Sequence, residues 1–246
     1  KMRFTDRAAI VTGGASGIGL ETAKRLGSEG ARIIIADLDQ QKGDDAAERA
    51  RAAGAPDARA IVCDVAVESQ VQSTVDEAFN RWGRLDVIVN NAGLMIFDSI
   101  TELSGDDWLR VLNVDLLGAF YFIKQAFLRM NRGGAIVNVS SIHAVETEPL
   151  VAPYAAAKAA LLSLTRSAAL EGKPKGIRVN AILPGAVDTP MLWNNPNVKS
   201  GEEKINPKDV GKPEDIAAVI AFLASDDAKF VQGAAVRADG GRLDRL

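Results

Sequence analysis

The chain has 246 residues, of which 47% are apolar and 25% are charged, and its net charge is −3 at pH 7. This length fits one large domain with a substantial core. The balanced charge gives no electrostatic reason to expect a nucleic acid or an anionic membrane as a partner. No apolar run approaches the roughly 18 residues that span a bilayer, and no signal peptide opens the chain, so we expect a cytoplasmic protein.

The cysteine and histidine content excludes two classes of site. The chain has one cysteine, Cys63, and one histidine, His143. A single cysteine cannot form an internal disulfide, and these two residues cannot supply a zinc site of the usual kind, so we expect no metal. The lone histidine also weakens any hydrolase mechanism that would use a Ser-His-Asp triad.

The chain opens with a pattern of strand, glycine turn and helix. Residues 7–11 form a short apolar run, and a helical pattern continues through Leu26. Between them, Gly13, Gly17 and Gly19 would let the backbone turn tightly and approach a pyrophosphate at the helix N-terminus. The spacing differs from the generic Gly-x-Gly-x-x-Gly fingerprint, and a glycine turn alone is structural about as often as it is functional.

A carboxylate follows the second predicted strand. Residues 31–36 are apolar and end at Asp37, about 20 residues after the glycines. An acidic residue at this place would hydrogen-bond the adenosine ribose hydroxyls and would repel a 2′-phosphate, which favours NAD over NADP. The alternative is a helix cap, since Asp37 and Asp39 both precede a helical stretch at 41–53.

Strands and helices continue to alternate along the chain. Further strands are predicted at 58–65, 85–89, 135–141, 177–182 and 234–237, and helices at 68–82, 105–130, after Tyr154 and at 213–223. This alternation predicts an α/β fold with a parallel sheet that is covered on both faces. We therefore expect a single domain over residues 1–246 with a Rossmann-like, doubly wound sheet of about seven strands.

A tyrosine, a lysine and a serine form the most chemically suggestive cluster. Tyr154 and Lys158 are four residues apart in an Ala-rich helical stretch, so their side chains would lie on one helix face. Ser141 ends the strand just before them. A nearby cation favours the phenolate form of a tyrosine, which could then exchange a proton with an alcohol or a carbonyl oxygen. The alternative is a half-buried tyrosine and a solvated lysine on an ordinary helix.

The residues that attract attention share one edge of the predicted sheet. Each follows the carboxyl end of a strand, and they are Gly13, Asp37, Asp64, Asn91, Ser141 and Pro184. Ligands of open α/β sheets bind at this edge. Residues with purely structural roles would have no reason to gather there, so a binding site is favoured.

Several motifs together resemble the short-chain dehydrogenase/reductase family. In chain order they are Thr12-Gly-Gly-Ala-Ser-Gly-Ile-Gly19, Asn90-Asn-Ala-Gly93, Ser141, Tyr154-Ala-Ala-Ala-Lys158 and Pro184-Gly185. They span nearly the whole chain and follow the order that the family has. The resemblance implies reversible hydride transfer between a nicotinamide cofactor and a secondary alcohol or ketone. It also implies a homo-oligomer, most simply a homotetramer built through the Tyr154 helix and the last strand.

The resemblance assigns roles to individual residues. Tyr154 would be the acid/base, Ser141 would hold the reacting oxygen, and Lys158 would tune Tyr154 and bind the nicotinamide ribose. Asn113 would support the proton relay. The implied contacts with NAD are Gly13, Ser16, Gly17, Ile18, Gly19, Asp37, Asp64, Val65, Asn91, Tyr154, Lys158, Pro184, Gly185, Val187 and Thr189.

The substrate is less well defined by the sequence. A long polar loop is predicted at about 186–212, and such loops often serve as lids or binding loops. Its polar members are Trp193, Asn194, Asn195, Asn197, Lys199, Glu202, Glu203 and Lys204. With His143 and Glu146 from the Ser-to-Tyr loop, Trp193 is predicted to contact a small polyol or sugar-like alcohol. His143 could equally be a solvated loop residue.

Two other interpretations remain open at this point. Residues 94–97 are apolar and could line a wall for a 3-oxoacyl thioester. The family pattern Ser-Ser-x-x-Gly is also broken here, because Ala144 stands where a glycine is common, and this loop faces the substrate. A dinucleotide-sensing regulator without catalysis is the third possibility, although the intact cluster of Ser141, Tyr154 and Lys158 argues against it.

Overall fold

The computed structural model describes residues 2–201, 203 and 205–244, and in this part of the chain seven parallel strands form one sheet. The strands are β1 (Ala8–Thr12), β2 (Arg32–Asp37), β3 (Ala58–Val62), β4 (Val87–Asn90), β5 (Ala135–Val139), β6 (Arg178–Pro184) and β7 (Ala235–Ala238). Their order across the sheet is β3-β2-β1-β4-β5-β6-β7. The order reverses between β1 and β4, which is the switch point where ligands bind in open α/β sheets.

Helices cover both faces of this sheet. They are α1 (Gly17–Ser28), α2 (Gln40–Ala52), α3 (Glu68–Trp82), α4 (Gly105–Leu112), α5 (Gly118–Arg129), α6 (Ala152–Gly172), α7 (Pro190–Trp193), α8 (Pro196–Ser200) and α9 (Pro213–Ala224). Alternate residues of a strand face opposite sides. Thus Ala9 and Val11 pack with α1, α2 and α9, whereas Ile10 packs with α3, α5 and α6. The predicted doubly wound α/β fold is confirmed.

The helix predicted over 105–130 is interrupted in its middle. α4 ends at Leu112, and Asn113–Leu117 form a single π-type turn before α5 begins. The turn is closed by a hydrogen bond from the N–H of Gly118 to the carbonyl of Asn113. Such a turn holds one more residue than an α-turn, and it often marks a functional site. Here it packs against α6, which carries Tyr154.

The same helical run departs from one expectation about membranes. Among the described residues, Gly105–Arg129 is long and apolar enough to cross a bilayer, with 25 residues and a mean hydropathy of 1.3 in its most apolar window. In this fold the run packs on β4, α3 and α6. Phe122, Ile123 and Ala126 are buried in the core beneath the sheet. Its apolar composition is therefore explained by its place in the cover of the sheet.

The segment at 186–212 holds more structure than the predicted loop. It contains the short helices α7 and α8, each of which begins at a proline, a favoured first residue of a helix. Val187 pairs with Gly211 in an isolated parallel bridge that closes the segment at its base. Glu202 and Lys204 lie outside the described residues. The described part forms a folded wall beyond the carboxyl end of β6.

Candidate active site

A tight glycine turn joins β1 to α1. Gly13 has a φ of +59° and Gly17 a φ of +51°, which favour glycine at both positions. A Cβ on Gly19 would lie only 2.2 Å from the carbonyl oxygen of Gly13, so no larger residue fits there. The side-chain amide of Asn91 donates to the carbonyls of Thr12 and Gly13, at 2.9 and 3.1 Å, and ties the turn to the end of β4.

Asp37 contacts the glycine turn directly. Its Oδ2 accepts a hydrogen bond from the N–H of Ala15 at 3.0 Å, and its Oδ1 accepts one from the N–H of Leu38 at 2.8 Å. The cap of α2 is Asp39, whose side chain accepts from the N–H of Lys42. The alternative interpretation of Asp37 as a helix cap is therefore wrong, and its carboxylate faces the cleft beside the glycine turn.

A cleft of about 620 Å³ runs along the carboxyl edge of the sheet. Almost all of the predicted site residues line it, and the exceptions are Gly19, Glu146 and Trp193. Gly19 lies beneath the turn, against Gly13. The volume is within the range of 300–1,000 Å³ that is usual for small-molecule and cofactor sites.

The residues at one end of the cleft fit a dinucleotide. The Ser16 side chain makes no capping bond, so the first N–H groups of α1 remain open to a phosphate. A Cβ on Gly17 would lie 3.3 Å from Cγ2 of Thr189, which brings the segment after β6 across the turn. Ile18, Asp64, Val65 and Val187 line the same end of the cleft.

Tyr154, Lys158 and Ser141 meet at the middle of the cleft. Tyr154 and Lys158 are buried, with exposed fractions of 7% and 3%. The Nζ of Lys158 lies 5.3 Å from the centroid of the Tyr154 ring, and Ser141 lines the same cleft, with its Oγ accepting a hydrogen bond from the N–H of His143 at 3.2 Å. Ser140 Oγ donates to the carbonyl of Lys158 at 2.9 Å and fixes α6 to the end of β5. The alternative of a solvated lysine on an ordinary helix is therefore wrong.

The pKa of the Tyr154 phenol is raised from its ordinary value. Burial is the main cause, because it disfavours the charged phenolate. The Lys158 ammonium lowers this pKa, as the sequence predicts, and the Ser141 hydroxyl lowers it as well, while the carboxylate of Asp115 raises it. The lysine thus acts in the expected direction, but burial outweighs it.

Asp115 is a residue of the site that no sequence motif indicates. It lies in the π-type turn, and its Oδ2 is 3.1 Å from the Nζ of Lys158. Its Oδ1 accepts a hydrogen bond from the N–H of Leu94 at 2.7 Å. Asn113 lines the cleft, and its predicted support of a proton relay stays a prediction. Within the described chain, the carboxylate that pairs with Lys158 is that of Asp115.

His143 lies at the substrate end of the cleft. Its ring is 6.0 Å from the Tyr154 ring and meets it edge-on at 74°. Its Nδ1 is buried and has no hydrogen-bond partner among the described residues. Burial lowers the pKa of this imidazole, so it is neutral near pH 7. A neutral imidazole can both donate and accept a hydrogen bond.

Two predicted substrate contacts do not reach the cleft. Trp193 is 43% exposed, and its indole N–H donates to Oδ1 of Asp188 at 2.7 Å, outside the cleft. Glu146 is exposed in the loop after Ser141 and does not line the cleft either. Neither the length nor the polarity of a loop in the sequence shows which of its side chains turn inward.

Other polar side chains occupy the places predicted for those residues. Asn195 lines the cleft, and its side-chain amide donates to Oε1 of Glu148 at 2.7 Å. Arg242, near the end of the described chain, lines the cleft as well and pairs with Glu203. Burial and the neighbouring Glu148 carboxylate raise the pKa of Glu203. The part of the cleft around His143 thus combines a carboxylate, an amide, a guanidinium and an imidazole.

Comparisons with known proteins point to one family. Residues 13–242 match the family model described as "Enoyl-(Acyl carrier protein) reductase". The chain is 42% identical to cis-4-hydroxycyclohexanecarboxylate dehydrogenase of Sinomonas cyclohexanicum, with 97% of each chain covered. It is 36% identical to meso-2,3-butanediol dehydrogenase of Serratia marcescens, with 98% of this chain and 96% of the relative covered.

Levodione reductase is similar in both sequence and structure. The protein of Leifsonia aquatica is 39% identical, with 98% of this chain and 95% of the relative covered. A crystal structure of levodione reductase superposes with a TM-score of 0.92 at 34% identity, and covers 99% of this chain and 100% of that one. The chain belongs to the short-chain dehydrogenase/reductase family. It is an oxidoreductase of secondary alcohols and ketones, and the prediction of this class is confirmed.

Proposed function

We propose that the chain uses NAD rather than NADP, and that its substrate is a small polyol or sugar-like alcohol or the corresponding ketone. The observation that carries this proposal is the single cleft that joins Asp37 at one end to Tyr154 and the polar residues around His143 at the other. Bound in it, the nicotinamide cofactor would accept or supply the hydride.

The chain's own residues handle the proton. In alcohol oxidation, the Tyr154 phenolate takes the proton of the substrate hydroxyl, and in ketone reduction the phenol gives a proton to the developing alkoxide. The Ser141 hydroxyl holds the same oxygen by a hydrogen bond. The positive charge of Lys158 stabilises the phenolate form of Tyr154 and so lowers the free energy of that form.

The preference for NAD rests on Asp37. Its carboxylate would lie against a 2′-phosphate, and like charges held together in this way cost several kcal/mol. Ser16, in the glycine turn, offers no counter-charge, whereas NADP-dependent relatives often have arginine or lysine at this place. We expect kcat/KM to be higher with NAD than with NADP. Equal or better use of NADP would refute the proposal for the cofactor.

The preference for a hydroxylated substrate rests on the polar end of the cleft. His143, Asn195, Glu203 and Arg242 all line it. The charge of Arg242 is offset by Glu203, which favours neutral hydroxyl groups over an anionic substrate. Groups that hydrogen-bond a hydroxyl reject analogues without one, because they would be left unpaired. The similarity to a butanediol dehydrogenase supports the same class.

A 3-oxoacyl thioester is the second candidate substrate. Leu94, Met95, Met191 and Leu192 also line the cleft and would suit an acyl chain. The 36% identity to a 3-oxoacyl-[acyl-carrier-protein] reductase of Thermotoga maritima supports this alternative. A sensor without catalysis is disfavoured, because sensing does not need a buried phenol paired with a serine and a lysine.

A substrate panel tests the proposal. Nicotinamide absorbance is followed with polyols, simple apolar ketones and a 3-oxoacyl thioester. We expect the best kcat/KM with a polyol, and a several-fold loss of it in His143→Ala. If simple ketones or the thioester exceed every polyol, the proposed substrate class is wrong. If His143→Ala leaves kcat/KM unchanged, His143 does not orient the substrate.

We also propose a cytoplasmic homotetramer. Leu170 on α6 is 76% exposed and Phe230 before β7 is fully exposed, so apolar side chains remain uncovered near both proposed contacts. Ala155 and Ala169 on α6 add nothing to this surface, because both are already buried within the chain. Light scattering at micromolar concentration should report four copies, and a monomer would refute this proposal.

A further inference from the structure

Asp115 is a buried carboxylate to which the proposed proton transfer gives no role. Its side chain is fully buried, and that of Lys158 is 4% exposed. Burying a carboxylate is costly unless it is paired and hydrogen-bonded. Here Oδ2 lies 3.1 Å from the Lys158 ammonium, and Oδ1 accepts the N–H of Leu94 at 2.7 Å. The ion pair therefore offsets a desolvation cost that an uncharged residue at position 115 would not have.

The surrounding chain is shaped to fit this ion pair. A Cβ on Gly93 would lie 3.2 Å from Oδ2 of Asp115, which is tighter than most contacts, and 3.4 Å from Nζ of Lys158, in ordinary contact. From the other side, the π-type turn packs against α6 and brings Asp115 to Lys158. Two separate segments thus meet around one contact.

The ammonium of Lys158 divides its three N–H groups among different directions. One donates to the carbonyl of Val139 at 3.1 Å, and the Nζ atom lies at an ion-pair distance of 3.1 Å from Oδ2 of Asp115. The ammonium therefore keeps an N–H group for the cleft, which Lys158 also lines. A fixed anion on one side of the ammonium weakens the field that this cation exerts on Tyr154 on the other side.

We propose that Asp115 is a positioning residue, which holds the Lys158 ammonium in place and offsets part of its charge, and thereby sets the pH at which Tyr154 works. The idea rests on the proposed acid/base role of Tyr154. The direction of the electrostatic effects supports it, since Asp115 raises the pKa of the Tyr154 phenol and also that of the Lys158 ammonium.

Other titratable groups around Tyr154 have weaker connections to it. His143 faces the ring from the segment after β5 and is neutral near pH 7, because burial lowers its pKa. The remaining charged side chains that line the cleft are Asp37, Asp64, Arg110, Glu203 and Arg242. Of the described carboxylates, Asp115 is the one in ion-pair contact with Lys158.

The Asp115→Asn variant tests the proposal through the pH profile of alcohol oxidation. Asparagine keeps the shape and the acceptor for Leu94 but removes the negative charge, so the phenolate forms at lower pH. We expect the acidic limb of kcat/KM against pH to move down by about one unit, as for one charge several ångströms away at an effective dielectric near 20. An unmoved limb, or a uniform loss of kcat at all pH values, would overturn the proposal.

Asp86→Asn is the matched control for this profile. Asp86 is also a buried carboxylate in an ion pair, with Arg84 at 2.7 Å, but it precedes β4 at the opposite edge of the sheet. Its replacement should reduce stability and leave the acidic limb unmoved. An equal shift in this control would assign the effect to general loosening of the fold and overturn the role of Asp115.

A second measurement needs neither substrate nor cofactor. The chain has two tyrosines, Tyr121 and Tyr154, so in a Tyr121→Phe protein the tyrosinate absorbance reports Tyr154 alone. Adding Asp115→Asn, or Asp115→Ala if the first variant unfolds, should lower the titration midpoint while circular dichroism reports a folded protein. Equal midpoints overturn the proposal. A lowered midpoint in a protein without turnover upholds Asp115 and rejects the proposed function.

Discussion

The floor and the wall of the cleft are built in different ways. The floor, formed by the end of β5, the π-type turn and the first turns of α6, carries Tyr154 and Lys158 with exposed fractions of 7% and 3%. The cleft wall, formed by the described part of residues 186–212 and the segment at 242–244, leaves Met191 and Trp193 exposed by 39% and 43%. The floor lies on long elements of the fold, whereas the wall lies on short ones.

The contacts that hold the two regions differ in the same way. The floor is fixed by buried contacts that include backbone groups, such as the bond from Ser140 to the carbonyl of Lys158. The wall is also held by contacts between side chains, such as Asn195 to Glu148 and Arg242 to Glu203, besides the backbone bridge between Val187 and Gly211 at its base. Chemistry on the floor therefore depends on the fold itself. Substrate choice on the wall can change through a few side chains with little effect on the core.

The largest expected effect is on the floor. Tyr154→Phe should lower kcat by about 10² to 10⁴, the usual contribution of general acid/base catalysis, and should change the affinity for NAD only a few-fold. Steady-state kinetics and cofactor titration check this. Tyr121→Phe is the control, because it removes the phenol hydroxyl of the other tyrosine, which lies on α5. More than a tenth of the activity left in Tyr154→Phe would exclude this tyrosine as the acid/base.

The next effect concerns the glycine turn between β1 and α1, which belongs to neither the floor nor the wall. Gly19→Ala places a Cβ 2.2 Å from the Gly13 carbonyl, so the glycine turn must move. We expect the affinity for NAD to fall by at least about tenfold, as when the backbone can no longer approach a pyrophosphate. Gly105→Ala, where the new Cβ would meet nothing within 4 Å, is the control. Unchanged affinity in Gly19→Ala would separate this turn from cofactor binding.

A smaller effect is expected on the wall. Asn195→Ala removes the 2.7 Å bond to Glu148 and should raise KM for the alcohol several-fold, with kcat and the affinity for NAD near their original values. A hydrogen bond to a charged group contributes about 1.5–3 kcal/mol. Asn194→Ala serves as the control, since Asn194 is exposed and bonds Lys199. A loss confined to kcat would show that the wall affects the chemical step on the floor, so that the two regions do not act independently.

The smallest effect is expected at Trp193. Its indole bonds Asp188 outside the cleft, so Trp193→Ala should change kcat/KM by less than about twofold, as for a surface substitution. The same substrate panel provides the measurement. A loss of tenfold or more would mean that Trp193 turns into the cleft when the substrate binds, and would restore the contact predicted from the sequence.

The sequence predicts the fold and the floor because their signals are local. Periodic apolar runs indicate the strands, and short motifs such as Tyr154 to Lys158 lie within one helix turn or at one strand end. Asp115 could not be predicted in this way. A π-type turn has no sequence signature, and the approach of Asp115 to Lys158 depends on the packing of two separate helices.

The wall is less predictable for a related reason. Polar loop residues are recognisable as a group, but the direction of each side chain follows from tertiary contacts that the sequence does not show. Asn195 turns inward because Glu148, 47 positions earlier, receives its amide. Arg242 reaches the cleft from the far end of the chain. Trp193 turns outward because Asp188 lies within reach of its indole.

The π-type turn has a consequence for insertions and deletions. In an ordinary helix, the loss of one residue rotates the part before the deletion by about 100° relative to the part after it. Within Asn113–Leu117, the loss of one residue would restore regular α-helical bonding, but it would also rotate α4 about the helix axis relative to α5. The helix would gain regular backbone hydrogen bonds, while the contact between Asp115 and Lys158 was lost. A shortened relative could therefore be more stable than this chain and yet inactive.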